Sequence, residues 1–237
     1  GAKPVGRQEQ KLIASSAVRG CALFGDHDMT IAREGLPLII AAGVLAVIAF
    51  GLGWVALGLV LVLVTLAVAA FFRDPERSIP GGDGLVVSPA DGRIVSIAAI
   101  AGDGLFADAA TRISIFLSPL DVHINRAPVA GRVNEVRYQA GQFLAAYKDE
   151  ASRCNEQNAL RIVDERERNW GVVQIAGFLA RRIVCRVGAG AALARGERFG
   201  LIMFGSRTDI YLPKGCRVEA TEGQHVTGGE TILGRFV

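Results

Sequence analysis

Residues 36–72 run for 37 positions without a charged side chain, and this stretch constrains the chain more than any other feature. A helix rises about 1.5 Å per residue, so one helix of this length would reach about 55 Å, against a hydrocarbon core of about 30 Å. The run is interrupted at Gly51-Leu52-Gly53-Trp54, where glycines favour a turn and a tryptophan suits a membrane interface. The pattern predicts a tight helical hairpin with arms 36–50 and 55–72. Each arm is short for a full span, so both a transmembrane and a re-entrant hairpin fit. Arg33 precedes the run, and Arg73 and Arg77 follow it. Basic flanks mark the cytoplasmic side, which puts both ends on the inner face of a cell membrane. A secretory signal has an apolar region of about 7–15 residues close to the N-terminus; this run is longer and begins later. Residues 1–28 are polar, lack periodicity and precede Met29. They are read as a disordered leader or an upstream mis-start, outside the fold.

After Phe72 the character changes. Residues 73–82 form a charged, Pro/Gly-rich linker, and 83–237 are long enough for a core of their own. Short β-branched runs at 85–87, 93–98, 112–117, 132–138, 159–163, 172–175, 182–187, 201–204 and 209–212 alternate with Gly, Pro or Asp. This spacing predicts a mainly β domain, a sandwich or barrel. A weak internal echo refines it. Gly190-x5-Gly196-Glu197 recurs as Gly223-x5-Gly229-Glu230, each copy leading into a strand. Paired turns of this kind resemble the half-motifs of barrel-sandwich folds. Lysine carriers of such folds hold a prosthetic group at a hairpin tip, and Lys214 stands in an unlike context. The formal net charge of +3 is too small for nucleic-acid binding, and no basic stripe with interleaved aromatics accompanies it. Cys21, Cys154, Cys185 and Cys216 form no C-x-x-C pair, so they predict reduced cysteines and no metal site.

Four segments carry chemistry. They are Ser88-Pro89-Ala90-Asp91-Gly92; Ser118-Pro119-Leu120-Asp121-Val122-His123-Ile124-Asn125-Arg126-Ala127-Pro128; the stretch 174–184 opening Gln174-Ile175-Ala176-Gly177; and Phe199-Gly200-Leu201-Ile202-Met203-Phe204-Gly205-Ser206. A Gly-Ser step between strands is by itself ordinary turn chemistry. Together with the apolar hairpin and the Phe-Phe-Arg-Asp-Pro-Glu-Arg linker, however, these segments resemble the short bacterial type of phosphatidylserine decarboxylase proenzymes, over residues 29–237.

The resemblance implies self-cleavage between Gly205 and Ser206, leaving a β chain that ends at Gly205 and an α chain whose residue 206 is a covalent pyruvoyl group. It implies a membrane phospholipid, phosphatidylserine, as substrate. The substrate amine would form a Schiff base with the pyruvoyl, lose CO2 and leave as phosphatidylethanolamine. His123 is the candidate base, since histidine titrates near neutrality and a serine hydroxyl needs a proton acceptor. Asp91 would orient the imidazole as the acid of a Ser-His-Asp triad does, with Asp121 and Asp209 as alternatives. Longer relatives carry a second histidine where Arg126 stands here. Either His123 serves both reactions or cleavage is organised differently, and Arg126 could then bind the substrate's phosphate or carboxylate. A homo-oligomer is compatible with all of this. Two rival classes remain: a membrane-tethered barrel-sandwich adaptor with an intact chain, and a peptidase pairing Ser206 with a lysine.

Overall fold

The computed structural model describes residues 30–102, 106–142, 154–177, 182–203 and 205–236. The expected leader, Phe204 and residues 178–181 of the third segment lie outside them.

The apolar run folds as a hairpin of two helices, α1 (Leu36–Gly51) and α2 (Val55–Phe71), preceded by a 3-10 turn at Arg33–Gly35. The amide of Trp54 bonds back to the carbonyl of Ala49 at 2.8 Å, closing the turn where the glycines interrupt the pattern. The helical stretch Arg33–Gly51, with mean hydropathy 2.1, is long and apolar enough to cross a membrane, and α2 is slightly shorter. Apolar side chains face outward along both arms, among them Ile40, Val47, Leu63 and Leu66, each more than 60% exposed. A contiguous apolar surface of this extent marks a membrane or partner contact. At the foot of the hairpin the chain entering and the chain leaving are joined: Ala32 donates to the Phe72 carbonyl at 2.8 Å, and Ile31 bridges Arg73.

The rest is mainly β. The strands are β1 (Leu85–Val87), β2 (Gly92–Ala99), β3 (Ala109–Leu117), β4 (Ile124–Arg126), β5 (Gly131–Gln139), β6 (Gln157–Val163) and β7 (Asn169–Ala176). They continue with β8 (Ile183–Cys185), β9 (Ala192–Leu193), β10 (Arg198–Ile202), β11 (Ser206–Pro213), β12 (Cys216–Val218), β13 (His225–Val226) and β14 (Ile232–Phe236). One large sheet has the order β13-β2-β3-β11-β7-β6-β5-β9, and two small sheets have the orders β4-β10-β8 and β1-β14-β12. All pairings between named strands are antiparallel. Val86, Ile94, Ile115, Phe199, Ile210 and Leu233, from all three sheets, share one buried core. This is the barrel-sandwich-like arrangement that the strand spacing predicts.

The internal echo has a structural counterpart. Each copy places a two-residue strand, β9 or β13, at opposite edges of the large sheet. Each then feeds the central strand of a small sheet, β10 or β14. The turns use their amides alike: Gly190 and Gly196 donate to Val133 and Ala127, and Gly223 and Gly229 donate to Ile94 and Ser88.

The linker is a strap bonded along its length. Asp74 is 5% exposed and meets Arg198 at 2.8 Å and Arg126 at 3.4 Å. Glu76 reaches Arg198 at 2.7 Å, Arg77 reaches Asp91 at 2.7 Å, and Arg195 donates to the carbonyls of Pro80 and Gly82.

Candidate active site

Along β11 side chains alternate between faces. Ile210 and Leu212 belong to the core, so Ser206 and Thr208 face the same way. Opposite them, Arg207 and Asp209 form a bidentate pair at 2.6 and 3.1 Å, and Arg207 also donates to Ser114 at 2.7 Å. Ser206 pairs with Leu117 on one side and Ala176 on the other, and is fully buried. Its hydroxyl has no hydrogen-bond partner among the described residues. Burying an unmade hydrogen bond costs about 1–3 kcal/mol, which makes such a group a candidate for chemistry.

Gly205 precedes it with φ +65°, a left-handed conformation that side chains other than glycine's resist. Its amide donates to His123 Nε2 at 3.2 Å. The imidazole is held from the other side by the Asp121 carbonyl, 2.9 Å from Nδ1. A carbonyl can only accept, so Nδ1 carries the proton and Nε2 offers its lone pair to the Gly205 amide. His123 is 2% exposed, and the ring of Phe71, from the last turn of α2, lies 4.4 Å away between centroids. Burial dominates its titration: it lowers the pKa to about 4, against the raising pull of the Asp121 carbonyl and carboxylate. The imidazole is therefore neutral at pH 7, the form a base requires.

Around these groups runs a buried polar chain. Asn125 donates to Thr208 at 3.1 Å and accepts from Gln174 at 2.8 Å, and Gln174 accepts from Asn158 at 3.0 Å. It ties β4, β11, β7 and β6 together beside Ser206.

Two of the expected residues are placed differently. Asp91 does not meet the imidazole in this chain. Its carboxylate bonds Arg77 at 2.7 Å and the Gly228 amide at 2.8 Å, and the His123 Nδ1 it was expected to orient is taken by a main-chain carbonyl. Desolvation leads in raising the Asp91 pKa, against the lowering effect of the Gly228 amide and Arg77. Arg126 spends its donors inside the fold, on the carbonyls of Gly196 (3.0 Å) and Pro75 (2.9 Å) and on Asp74. It braces the strap rather than turning toward an incoming anion. Of the alternatives, Asp121 acts through its carbonyl, and Asp209 is occupied by Arg207.

The sequence reading passed over Phe71, Asn125 and Gln174 as site residues, although all three lie inside segments it singled out. His225 also approaches the region, 3.3 Å from the Asp121 carboxylate.

A family model described as phosphatidylserine decarboxylase matches residues 64–234. Phosphatidylserine decarboxylase proenzymes are similar over nearly their whole length. That of Symbiobacterium thermophilum is 48% identical over 206 residues, covering 87% of this chain and 95% of the relative. That of Syntrophus aciditrophicus is 42% identical over 89% of this chain and 99% of the relative. That of Nitrobacter winogradskyi is 43% identical over 98% and 95%. The chain belongs to the phosphatidylserine decarboxylase family. Within that family's matched region lie Gly205, Ser206, His123, Asp91 and Arg126, together with the last turns of α2. The geometry also fits a group formed from residue 206 itself. Its oxygen is buried without a partner among the described residues, a positive-φ glycine precedes it, and the amide of that glycine donates to a neutral imidazole.

Proposed function

We propose that this chain is made as a proenzyme, cuts itself between Gly205 and Ser206, and converts phosphatidylserine to phosphatidylethanolamine and CO2 at the cytoplasmic face of a cell membrane. The observation that carries this reading is the buried Ser206 hydroxyl, without a hydrogen-bond partner among the described residues, next to a Gly205 amide that donates to His123.

In the first reaction the Ser206 oxygen attacks the Gly205 carbonyl. The hydroxyl proton passes to Nε2 of neutral His123 and on to the departing Ser206 nitrogen, so the amide becomes an ester. Loss of the Ser206 α-proton expels the Gly205 carboxylate and leaves dehydroalanine. Water then replaces the nitrogen, ammonia leaves, and residue 206 ends as a ketone. The Asp121 carbonyl fixes the tautomer that makes His123 an acceptor at Nε2. The pyruvoyl group supplies an electron sink for the carbanion formed when CO2 departs.

In the second reaction His123, beside the Gly205 amide, would take a proton from the incoming substrate ammonium and return it to the substrate carbon once CO2 has left, while Phe71 and the hairpin foot keep water from it. Asp91 contributes by holding Arg77 and the Gly228 turn, and Arg126 by bracing the strap, so neither touches the reacting atoms. The hairpin brings the lipid to the β domain. The β chain and the 32-residue α chain (206–237) stay together through the pairing of β11 with β3 and β7.

The test is a pair of proteins. Wild type should appear as two chains and form phosphatidylethanolamine from phosphatidylserine vesicles. Ser206→Ala, lacking the attacking oxygen, should stay a single chain and form none. Two normal-sized fragments from Ser206→Ala would end the reading, and an intact, inactive wild type would favour the adaptor class.

A further inference from the structure

The hairpin explains how the chain is tethered, but a tether alone does not set how the buried His123–Ser206 step meets a lipid. The turn Ser118–Asp121, immediately before His123, bears on this. Two hydrogen bonds close it: the Asp121 amide to the Ser118 carbonyl at 2.9 Å, and the Ser118 amide to the Asp121 carboxylate at 2.7 Å. A turn closed twice presents the side chain at its tip in a fixed direction. That side chain is Leu120, 83% exposed. Among the described residues outside the hairpin, the other large apolar side chains counted as exposed are Val95 at 38% and Tyr138 at 60%.

A single exposed leucine is ordinary on a protein surface. Its position is what gives this one weight. Arg73, the first residue after the hairpin's apolar run, donates to the Leu120 carbonyl at 2.6 Å and to the Ala70 carbonyl at 2.8 Å, so it joins the turn to the end of α2. Val122 and Ile124, just beyond the turn, share one buried cluster with Ala32, Phe71 and Phe72 at the hairpin foot. The tip of the turn is therefore continuous with the surface at which the hairpin leaves the β domain. Arg33, half-exposed, and Arg73 stand at the same foot, where cations favour anionic headgroups.

We propose that Leu120 is a second insertion point into the bilayer interface, beside the hairpin, so that lipid borders the His123 site on two sides. The inference rests on the membrane reading of the hairpin. It deepens that reading, because three residues beyond Leu120 stands His123, whose Nδ1 is held by the Asp121 carbonyl of the same turn. Seating Leu120 would fix the depth of the imidazole relative to the headgroup layer.

The experiment uses full-length Leu120→Trp with vesicles of phosphatidylcholine and phosphatidylserine. Emission is read as the difference from wild type, which cancels Trp54 and Trp170. On vesicles, the indole introduced by Leu120→Trp should shift to the blue, be quenched by lipids brominated on the acyl chain, and be shielded from aqueous acrylamide. Leu120→Ser should cleave itself normally and keep its kcat, with the apparent KM for vesicle-borne phosphatidylserine raised about tenfold, or about 1.4 kcal/mol. That variant decides the matter should the tryptophan impair folding. A residue 120 still open to acrylamide on protein that floats with vesicles overturns the inference alone, as does an unchanged KM for Leu120→Ser. A blue shift without lipid that grows with protein concentration assigns the tip to a second copy and also overturns it. Wild type that fails to float with vesicles overturns the membrane reading itself.

Discussion

The small sheets β4-β10-β8 and β1-β14-β12 are two versions of one unit. In each, a central strand entered from a Gly-x5-Gly-Glu turn pairs with one short strand across an irregular step and with another in regular register. Gly200 and Gly234 occupy the same place in both: Gly200 faces Asn125 and Cys185, and Gly234 faces Val86 and Val218. Aligned this way, Asn125 and Arg126 correspond to Val86 and Val87, and His123 to Gly84. One unit is an apolar brace ending near the C-terminus. In the other, the same backbone carries an imidazole, an amide and a guanidinium, and its central strand runs on toward Gly205–Ser206. The difference teaches how the site is made: polar groups replace apolar ones in one half, where partners across the core can satisfy them, while the other half supplies rigidity.

The largest effect should come from the position where the halves differ most. His123→Ala reduces the site's half to a small side chain, much as glycine does at position 84 in its counterpart, and removes the proposed base. Self-cleavage should slow by about 10²–10⁴-fold, read as the uncut fraction against time on a denaturing gel. Cleavage at the wild-type rate would move the base elsewhere and leave the two halves chemically alike.

Burial of His123 predicts a pH effect of the next size. Its pKa is lowered from 6.5 to about 4 by desolvation, so between those values the unfolded chain binds the proton and the folded chain does not. Stability is therefore full above about pH 6.5 and falls as pH drops toward 4, by up to about 3 kcal/mol from this group. Urea unfolding of Ser206→Ala and of Ser206→Ala/His123→Gln at pH 7, 5 and 4 isolates it, because neither variant should cut itself. The single variant should lose stability relative to the double as pH falls; parallel curves would mean that the ring is protonated or solvated in the fold.

Asn125→Val gives the polar half the residue of its counterpart, Val86. It takes away the acceptor that the Gln174 amide meets at 2.8 Å, leaving it the Val184 carbonyl at 3.5 Å, and the donor to the Thr208 hydroxyl. In the Ser206→Ala background it should cost about 1–3 kcal/mol by urea unfolding. A neutral or stabilising result would show that the polar chain serves specificity alone.

The smallest effect is expected at Gly205. A Cβ there meets nothing within 4 Å among the described residues, so Gly205→Ala suffers only from φ +65°. About 1 kcal/mol of strain should slow cleavage a few-fold. Complete arrest would instead mean that the approach of Ser206 tolerates no Cβ.

Much of this was legible in the residues, for physical reasons that also explain what was missed. The hairpin followed from an uncharged run and two glycines, and the helices end within a residue of the expected arms. The nine expected strands all overlap real ones, because alternation and turn residues are local signals. Strands β4, β9, β12 and β13, of two or three residues, are too short for periodicity to register. Of the motif residues, His123 meets the Gly205 amide, with Ser206 next in the chain. The partner of Asp91 was not legible: a carboxylate before glycine looks the same whether it faces an imidazole or Arg77, and Arg77 reaches it only because the strap folds back over the β domain. Phe71 packing on His123 is likewise long-range, set by where the hairpin foot docks.

The central claim is that the polar half exists to cut the chain at Ser206, and intact mass of the purified full-length protein tests it most directly. The expected result is two species, one ending at Gly205 and one spanning 206–237, the latter lighter by one ammonia than a fragment beginning with serine. A single 25.1 kDa chain after prolonged incubation, or a 206–237 fragment that begins with an unmodified serine, would contradict it.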